Sequence, residues 1–183
     1  AFWTHPELAG LGIGNNSIRM PISADIYMKS LNMLHLGENN MTIHHAFDIG
    51  SFPSLTYLYV NGNNLQSFPS KSLKDNLAYL GVARCNLKSL PSYLSEFKNL
   101  KYLDARDNAI IKVDDDLKEL IEGNDVESYF SGNRILCKVD KSLDCEPVCS
   151  KMCWSRKVSS DGFCDVECNT EECKFDGGDC EET

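Results

Sequence analysis

The feature that most limits what this chain can become is an apolar pattern that returns at a nearly constant interval. In Leu55-Thr-Tyr-Leu58-Tyr-Val60-Asn-Gly-Asn63-Asn-Leu65, apolar residues stand at positions 1, 4, 6 and 11 and an asparagine at position 9. The same template fits Leu8/Leu11/Ile13/Asn16/Ile18, Leu31/Leu34/Leu36/Asn39/Met41, Leu77/Leu80/Val82/Cys85/Leu87 and Leu100/Leu103/Ala105/Asn108/Ile110. Successive first positions lie 23, 24, 22 and 23 residues apart, and a degraded copy around Phe130, Asn133 and Ile135 closes the series. In each unit a short strand turns alternate side chains inward, and the asparagine amide bonds the backbone of neighbouring coils. One copy cannot bury its own apolar side, so the copies must stack, which predicts an α/β repeat solenoid of about six coils over residues 1–136.

Between the strands, Pro53, Pro69 and Pro91 punctuate the arcs. The stretch from Asn86 to Phe97 has apolar residues three to four apart, which predicts a short helix or 3₁₀ turn. Residues 114–121 predict a better helix, with acids at its start and Gly123-Asn124 at its end. These arcs set curvature and carry no chemistry.

The strand positions that point away from the core build one open, concave sheet face, where a solenoid meets its partner. Third positions read Gly10, Met33, Tyr57, Tyr79 and Tyr102; fifth positions read Gly12, His35, Tyr59, Gly81, Asp104 and Tyr129. Tyrosine supplies contact area at small entropic cost and keeps a hydroxyl for hydrogen bonding, so Tyr57, Tyr59, Tyr79, Tyr102 and Tyr129 are the candidate partner-binding residues, for protein or sugar. The plainer alternative is that neighbouring tyrosines only stabilise the sheet by stacking. Asp104, Arg106 and Asp107 either polarise one end of this face or pair with each other. Cys85 fills an asparagine position, where a small thiol can sit buried and unpaired. His44 and His45 have no cysteine or carboxylate near them in sequence, which argues against a metal role.

At 183 residues and 42% hydrophobic composition the chain can bury a sizeable core, with an ordinary 25% of charged residues. No apolar run approaches the roughly 20 residues needed to cross a bilayer. The opening Ala-Phe-Trp-Thr-His-Pro lacks the basic and apolar regions of a signal peptide. Because Leu8 already opens a coil, the chain reads as a mature product or a piece of something longer, without an N-terminal cap. Of the net charge of −9, residues 161–183 carry −8, from nine acids against Lys174 alone. The solenoid is thus near neutral, which excludes a broad nucleic-acid footprint.

Nine cysteines, six of them in residues 149–183, argue for an oxidising, extracellular setting. Two glycosylation sequons, at Asn15 and Asn40, fall where a strand leaves for its arc. Cys137 and Cys145 flank a short segment just after the last coil; a bridge between them would close the end of the core, in a cap or linker over residues 137–148, and contribute up to about 3 kcal/mol.

Cys149, Cys153, Cys164, Cys168, Cys173 and Cys180 then follow the pattern Cx3Cx10Cx3Cx4Cx6C. Six cysteines imply three bridges and leave fifteen connectivities open. Apolar residues here are too few for a core, so covalent bonds must hold the module, and a metal is expected beside them. Asp176-Gly-Gly-Asp179 lets two carboxylates converge and Asp161 offers a third; such hard oxygen ligands favour Ca²⁺, whereas a zinc site closes at four ligands and would strand two thiols.

Residues 149–180, with Cys168-Asn169 and the closing Phe-Asp-Gly-Gly-Asp-Cys, resemble the Notch-type (LNR) repeat of Notch receptors, of a lysosomal-targeting phosphotransferase and of pappalysin metalloproteases. The resemblance implies bridges Cys149–Cys173, Cys153–Cys168 and Cys164–Cys180, and calcium held by Asp161, Asp176 and Asp179 with backbone carbonyls near Cys164. Residues 1–136 resemble the leucine-rich repeat family, which implies the fold and says little of the task. No nucleophile, phosphate loop or hydrolase motif stands out, so the leading expectation is a non-catalytic extracellular or cell-surface protein that recognises a protein or glycan. Two alternatives are a protomer of a head-to-tail extracellular filament and the regulatory fragment of a larger extracellular enzyme.

Overall fold

The computed structural model describes residues 5–19, 27–43, 52–65, 68, 71–135, 164 and 166–180. The expectations placed on Cys137, Cys145, Cys149, Cys153, Asp161, His44 and His45 lie outside these residues. Among the described residues the strands are β1 (Gly10–Gly12), β2 (Met33–His35), β3 (Thr42–Ile43), β4 (Tyr57–Tyr59), β5 (Asn64–Leu65), β6 (Tyr79–Gly81), β7 (Tyr102–Asp104) and β8 (Glu127–Tyr129). Six form one parallel sheet in the order β1-β2-β4-β6-β7-β8, and β3 pairs with β5 in a second, two-stranded sheet. Residues 10–129 wind as a solenoid of leucine-bearing coils: each coil adds one strand to the six-stranded sheet, always next to the preceding coil's strand.

The apolar template fixes the register. Leu11, Leu34, Leu58, Leu80 and Leu103 are mutual partners along the sheet. A slip of one residue would turn this whole row to solvent. Leu34, Leu58, Leu80 and Leu103 are fully buried, with Leu31, Leu55, Leu77 and Leu100 behind them and Leu36, Val60, Val82 and Ala105 beside them. Each buried leucine contributes about 1.5–3 kcal/mol relative to exposure. In the last coil Ser128 takes the leucine place opposite Leu103, while Phe130 and Ile135 still fill the core.

The asparagines hold the coils together. Asn63 Nδ2 donates to the carbonyls of Val60 in its own coil and Leu36 in the preceding one, at 2.9 and 3.0 Å, and its Oδ1 accepts from the Met41 amide. Asn39, Asn108 and Asn133 repeat the arrangement, each donating to two sixth-position carbonyls one coil apart. At Cys85 the thiol takes over the donor role, toward the Val60 and Ala83 carbonyls. Burial pushes that thiol's pKa up to about 11.

The residue just before each asparagine position has left-handed backbone: Asn15, Glu38, Gly62, Arg84, Asp107 and Gly132 have φ between 53° and 72°. Glycine meets that geometry without strain, and at Gly62 its missing side chain also leaves room for the Glu38 carboxylate, 2.6 Å from where a Cβ would stand. Glu38 thereby reaches Arg84 two coils away and pairs with it.

On the arcs, 3₁₀ turns at Lys71–Asp75 and Ser92–Glu96 and the helix α1 (Asp115–Gly123) follow one another and pack side by side. α1 forms because Leu117, Leu120 and Ile121 share one buried face and Asp115 and Asp116 sit in the first turn, where the helix dipole favours acids. A second ladder, from the residue before the first position of a coil, ties the arcs: Ser54 to the Lys29 carbonyl, Asn76 to Pro53, Asn99 to Asp75 and Asn124 to Lys98. No helix among the described residues is long and apolar enough to cross a membrane.

Toward the C-terminus, 3₁₀ turns at Val166–Cys168 and Glu171–Cys173 lead into the short segment α2 (Lys174–Gly177). Phe175, Asp176, Gly177 and Gly178 all have positive φ, so the chain doubles back and brings Cys180 to Cys164, with which it is bridged.

Candidate functional site

The parallel register puts the tyrosines where the template predicts. One outward column runs Gly10, Met33, Tyr57, Tyr79, Tyr102, Glu127; the other runs Gly12, His35, Tyr59, Gly81, Asp104, Tyr129. All five tyrosines are half-buried. Tyr57 stacks on Tyr79 with ring centroids 4.4 Å apart and planes 13° from parallel, Tyr79 stacks on Tyr102 at 6.2 Å and 28°, and Tyr102 meets Tyr129 at 5.7 Å and 51°. Tyr59 leans over Gly81, where a Cβ would lie 2.7 Å from the ring, and meets His35 at 5.9 Å. A glycine at that step is what lets the ring settle toward the sheet.

Two charged groups of the face, Asp104 and Arg106, satisfy each other. Asp104 is buried and accepts from Arg106 Nε and Nη2, each at 2.9 Å, and the guanidinium lies 5.4 Å over the Tyr129 ring. This bidentate bond raises the pKa of Arg106 further. Tyr129 donates its hydroxyl to Glu127, which raises the tyrosine pKa, and burial does the same for Tyr59 and Tyr102. Sequence reasoning named Asp104 and Arg106 but missed the Glu38–Arg84 pair; its signal is opposite charges at the same repeat position, with the coil between them holding glycine.

In the C-terminal module Cys164 and Cys180 are bridged, with Cα atoms 4.8 Å apart, and Cys168 and Cys173 each take part in a disulfide as well. Cys85 is the free cysteine among the described residues. Asp176 is fully buried; Asp179 follows in the same turn, its amide donating to the Asp176 carbonyl. Asn169 Oδ1 is buried with no hydrogen-bond donor. Asp176 and Asn169 thus each place side-chain oxygen inside the module, the ligand type that hard divalent cations take. No group of three ligating side chains occurs among the described residues, a set without Asp161. Asn15 and Asn40 are both exposed.

Residues 143–181 match the family model described as Notch, LNR domain, and residues 54–75 match that of the Leucine Rich Repeat. Receptor-like protein 47 of Arabidopsis thaliana is 36% identical over 84 residues, covering 44% of this chain and 10% of that protein. Protein glp-1 of Caenorhabditis elegans is 53% identical over 38 residues, 19% of this chain and 3% of that protein. The matches thus span a tenth or less of those relatives' lengths. Among solved structures, the functional domain of InlJ from Listeria monocytogenes aligns over 76% of this chain and 35% of its own at 22% identity and a TM-score of 0.49. Internalin C2 of the same organism aligns over 76% and 80% at 17% identity and a TM-score of 0.34. The chain thus carries a leucine-rich repeat match and, C-terminal to it, a Notch-type repeat match.

Proposed function

We propose that this chain acts outside the cell as a non-catalytic recognition protein that binds a macromolecular partner on its open sheet face, while calcium stabilises the C-terminal module. The observation that carries the reading is the set of five tyrosines at outward strand positions, four of them in ring contact along the ladder. Aromatic residues on a rigid sheet give a partner large contact area with little entropy left to lose. The bridged Cys164 and Cys180 support an oxidising compartment. The buried oxygens of Asp176 and Asn169 support the cation, which would be held by Asp161, Asp176 and Asp179 and would supply charge compensation inside a module with almost no core.

The test is a binding survey of the full chain against displayed extracellular proteins and glycans, repeated with Tyr57→Ala/Tyr102→Ala. The variant should weaken binding by about tenfold or more. A partner held equally well by it would sink the recognition role of this face.

A further inference from the structure

The arcs, expected to set curvature alone, also shape a cavity. It has a volume of about 610 Å³, and its described lining comes from the two coils that begin at Leu55 and Leu77, past their strands in the main sheet. At one end of these arcs Glu96 ties the coils together, accepting from Lys71 and Lys74 at 2.5 and 3.5 Å. At the other end β5 pairs with β3 of the preceding coil, and the Leu65 amide bonds the Cys85 carbonyl at 3.1 Å. Two residues beyond Cys85 the chain turns away, the Leu87 amide bonding Asn108 Oδ1 of the following coil at 3.0 Å. The gap between the coils is floored by buried Leu65 and Leu87. Phe68 and Tyr93 wall it, with ring centroids 6.4 Å apart and planes at 69°, and fully buried Phe97 stacks on Tyr93 at 6.5 Å and fixes it to the core.

The rim is polar. Asn64 and Asn86 stand with Oδ1 and Nδ2 3.5 Å apart, and both are exposed, as are Lys88 and Ser89. Lys88 is the one charged residue of the described lining, and its ammonium makes no ion pair among the described residues. Amides and hydroxyls each donate and accept, so a row of them matches a polyol. Aromatic and proline carbon matches the C–H groups of a sugar ring. An ammonium with no acid beside it in the lining calls for an anion and repels a cation. A wholly apolar ligand would use the floor and leave the rim idle. An extended peptide is read along a groove or a strand edge, whereas this cavity is confined to two coils and has the size of a small-ligand site.

We propose that this cavity binds a carboxylate-bearing pyranose, its ring against Phe68, Tyr93 and Pro91, its hydroxyls on Asn64, Asn86 and Ser89, and its carboxylate on Lys88. The site is separate from the open sheet face and independent of what that face binds. The experiment titrates the full chain, by calorimetry and NMR, with hexuronic-acid oligosaccharides, with sialyllactose, with neutral sugars of the same ring count and with an acidic peptide. An acidic sugar should bind about five- to tenfold tighter than its neutral counterpart, and Lys88→Gln should erase the difference without moving the unfolding midpoint. Whether the hexuronic or the sialic series binds tells an acidic polysaccharide from a glycan terminus as the source. Asn64→Ala should weaken the bound sugar by about three- to tenfold. The NMR signals that move should be those of Asn64, Asn86, Lys88 and Ser89. Equal binding of acidic and neutral sugars, a difference that survives Lys88→Gln, or shifts confined to the main sheet would each overturn the proposal. So would an acidic peptide bound more tightly than every sugar, or no sugar binding up to about 10 mM.

Discussion

A single asparagine per coil settles several backbone groups at once. Asn63 is 3% exposed and bonds two carbonyls and one amide. Replacing it with alanine leaves those groups buried without partners, so Asn63→Ala should cost about 2–4 kcal/mol, read as a shift in the urea unfolding midpoint. Cys85 shows what the position demands, since its thiol keeps the donor role in a fully buried site. Its folded-state pKa is about 11 against 9.0 for an ordinary thiol. Below pH 9 both folded and unfolded states keep the proton and stability does not change with this group. As pH rises toward 11 the unfolded chain loses the proton first, and stability should fall by about 2–3 kcal/mol at most. Urea midpoints for the wild type and Cys85→Ala, compared at pH 8 and 10.5, isolate that slope; parallel pH dependence in the two proteins would contradict it.

Three-residue strands are too short to persist alone, and each is stabilised by its place between two neighbours. The left-handed turns that end them are shared by every coil, whether filled by glycine or by Glu38, Arg84 and Asp107. That repetition shows that the turn geometry comes from stacking rather than from residue choice. Gly81 is different, because its lack of a side chain serves the outward face. Gly81→Ala should push the Tyr59 ring outward, shifting its NMR signals and those of His35, while costing about 1 kcal/mol in thermal unfolding. An unmoved Tyr59 would show that the glycine does not seat the ring.

The molecule joins two kinds of stability. The solenoid rests on a continuous leucine core whose described residues include no disulfide, whereas the C-terminal module is cross-linked, as at Cys164–Cys180. Chelation by EDTA, or Asp176→Ala, should therefore perturb amide signals of residues 164–180 and speed reduction of their disulfides, while hydrogen exchange in the leucine core stays unchanged. Calorimetry should show a calcium-binding heat that the Asp176→Ala chain lacks; unaltered reduction kinetics in both would argue against a cation in this module.

Periodicity was enough to locate the six strands of the main sheet, the buried leucines and the outward tyrosines, though not β3 and β5, because a repeat of about 23 residues with one strand per coil admits one parallel register. The helix at Asp115–Gly123 was legible for the same reason, an apolar stripe framed by acids and Gly-Asn. Ring orientation was not legible, since it follows from coil spacing and from what the neighbouring side chains leave open. The Glu38–Arg84 pair was hidden for a related reason: its partners are 46 residues apart and meet only because Gly62 leaves the space between them. One-dimensional order thus decided which residues face outward, and the three-dimensional stack decided which of their surfaces remain available, because contact between coils consumes ring faces and charges that no linear pattern records.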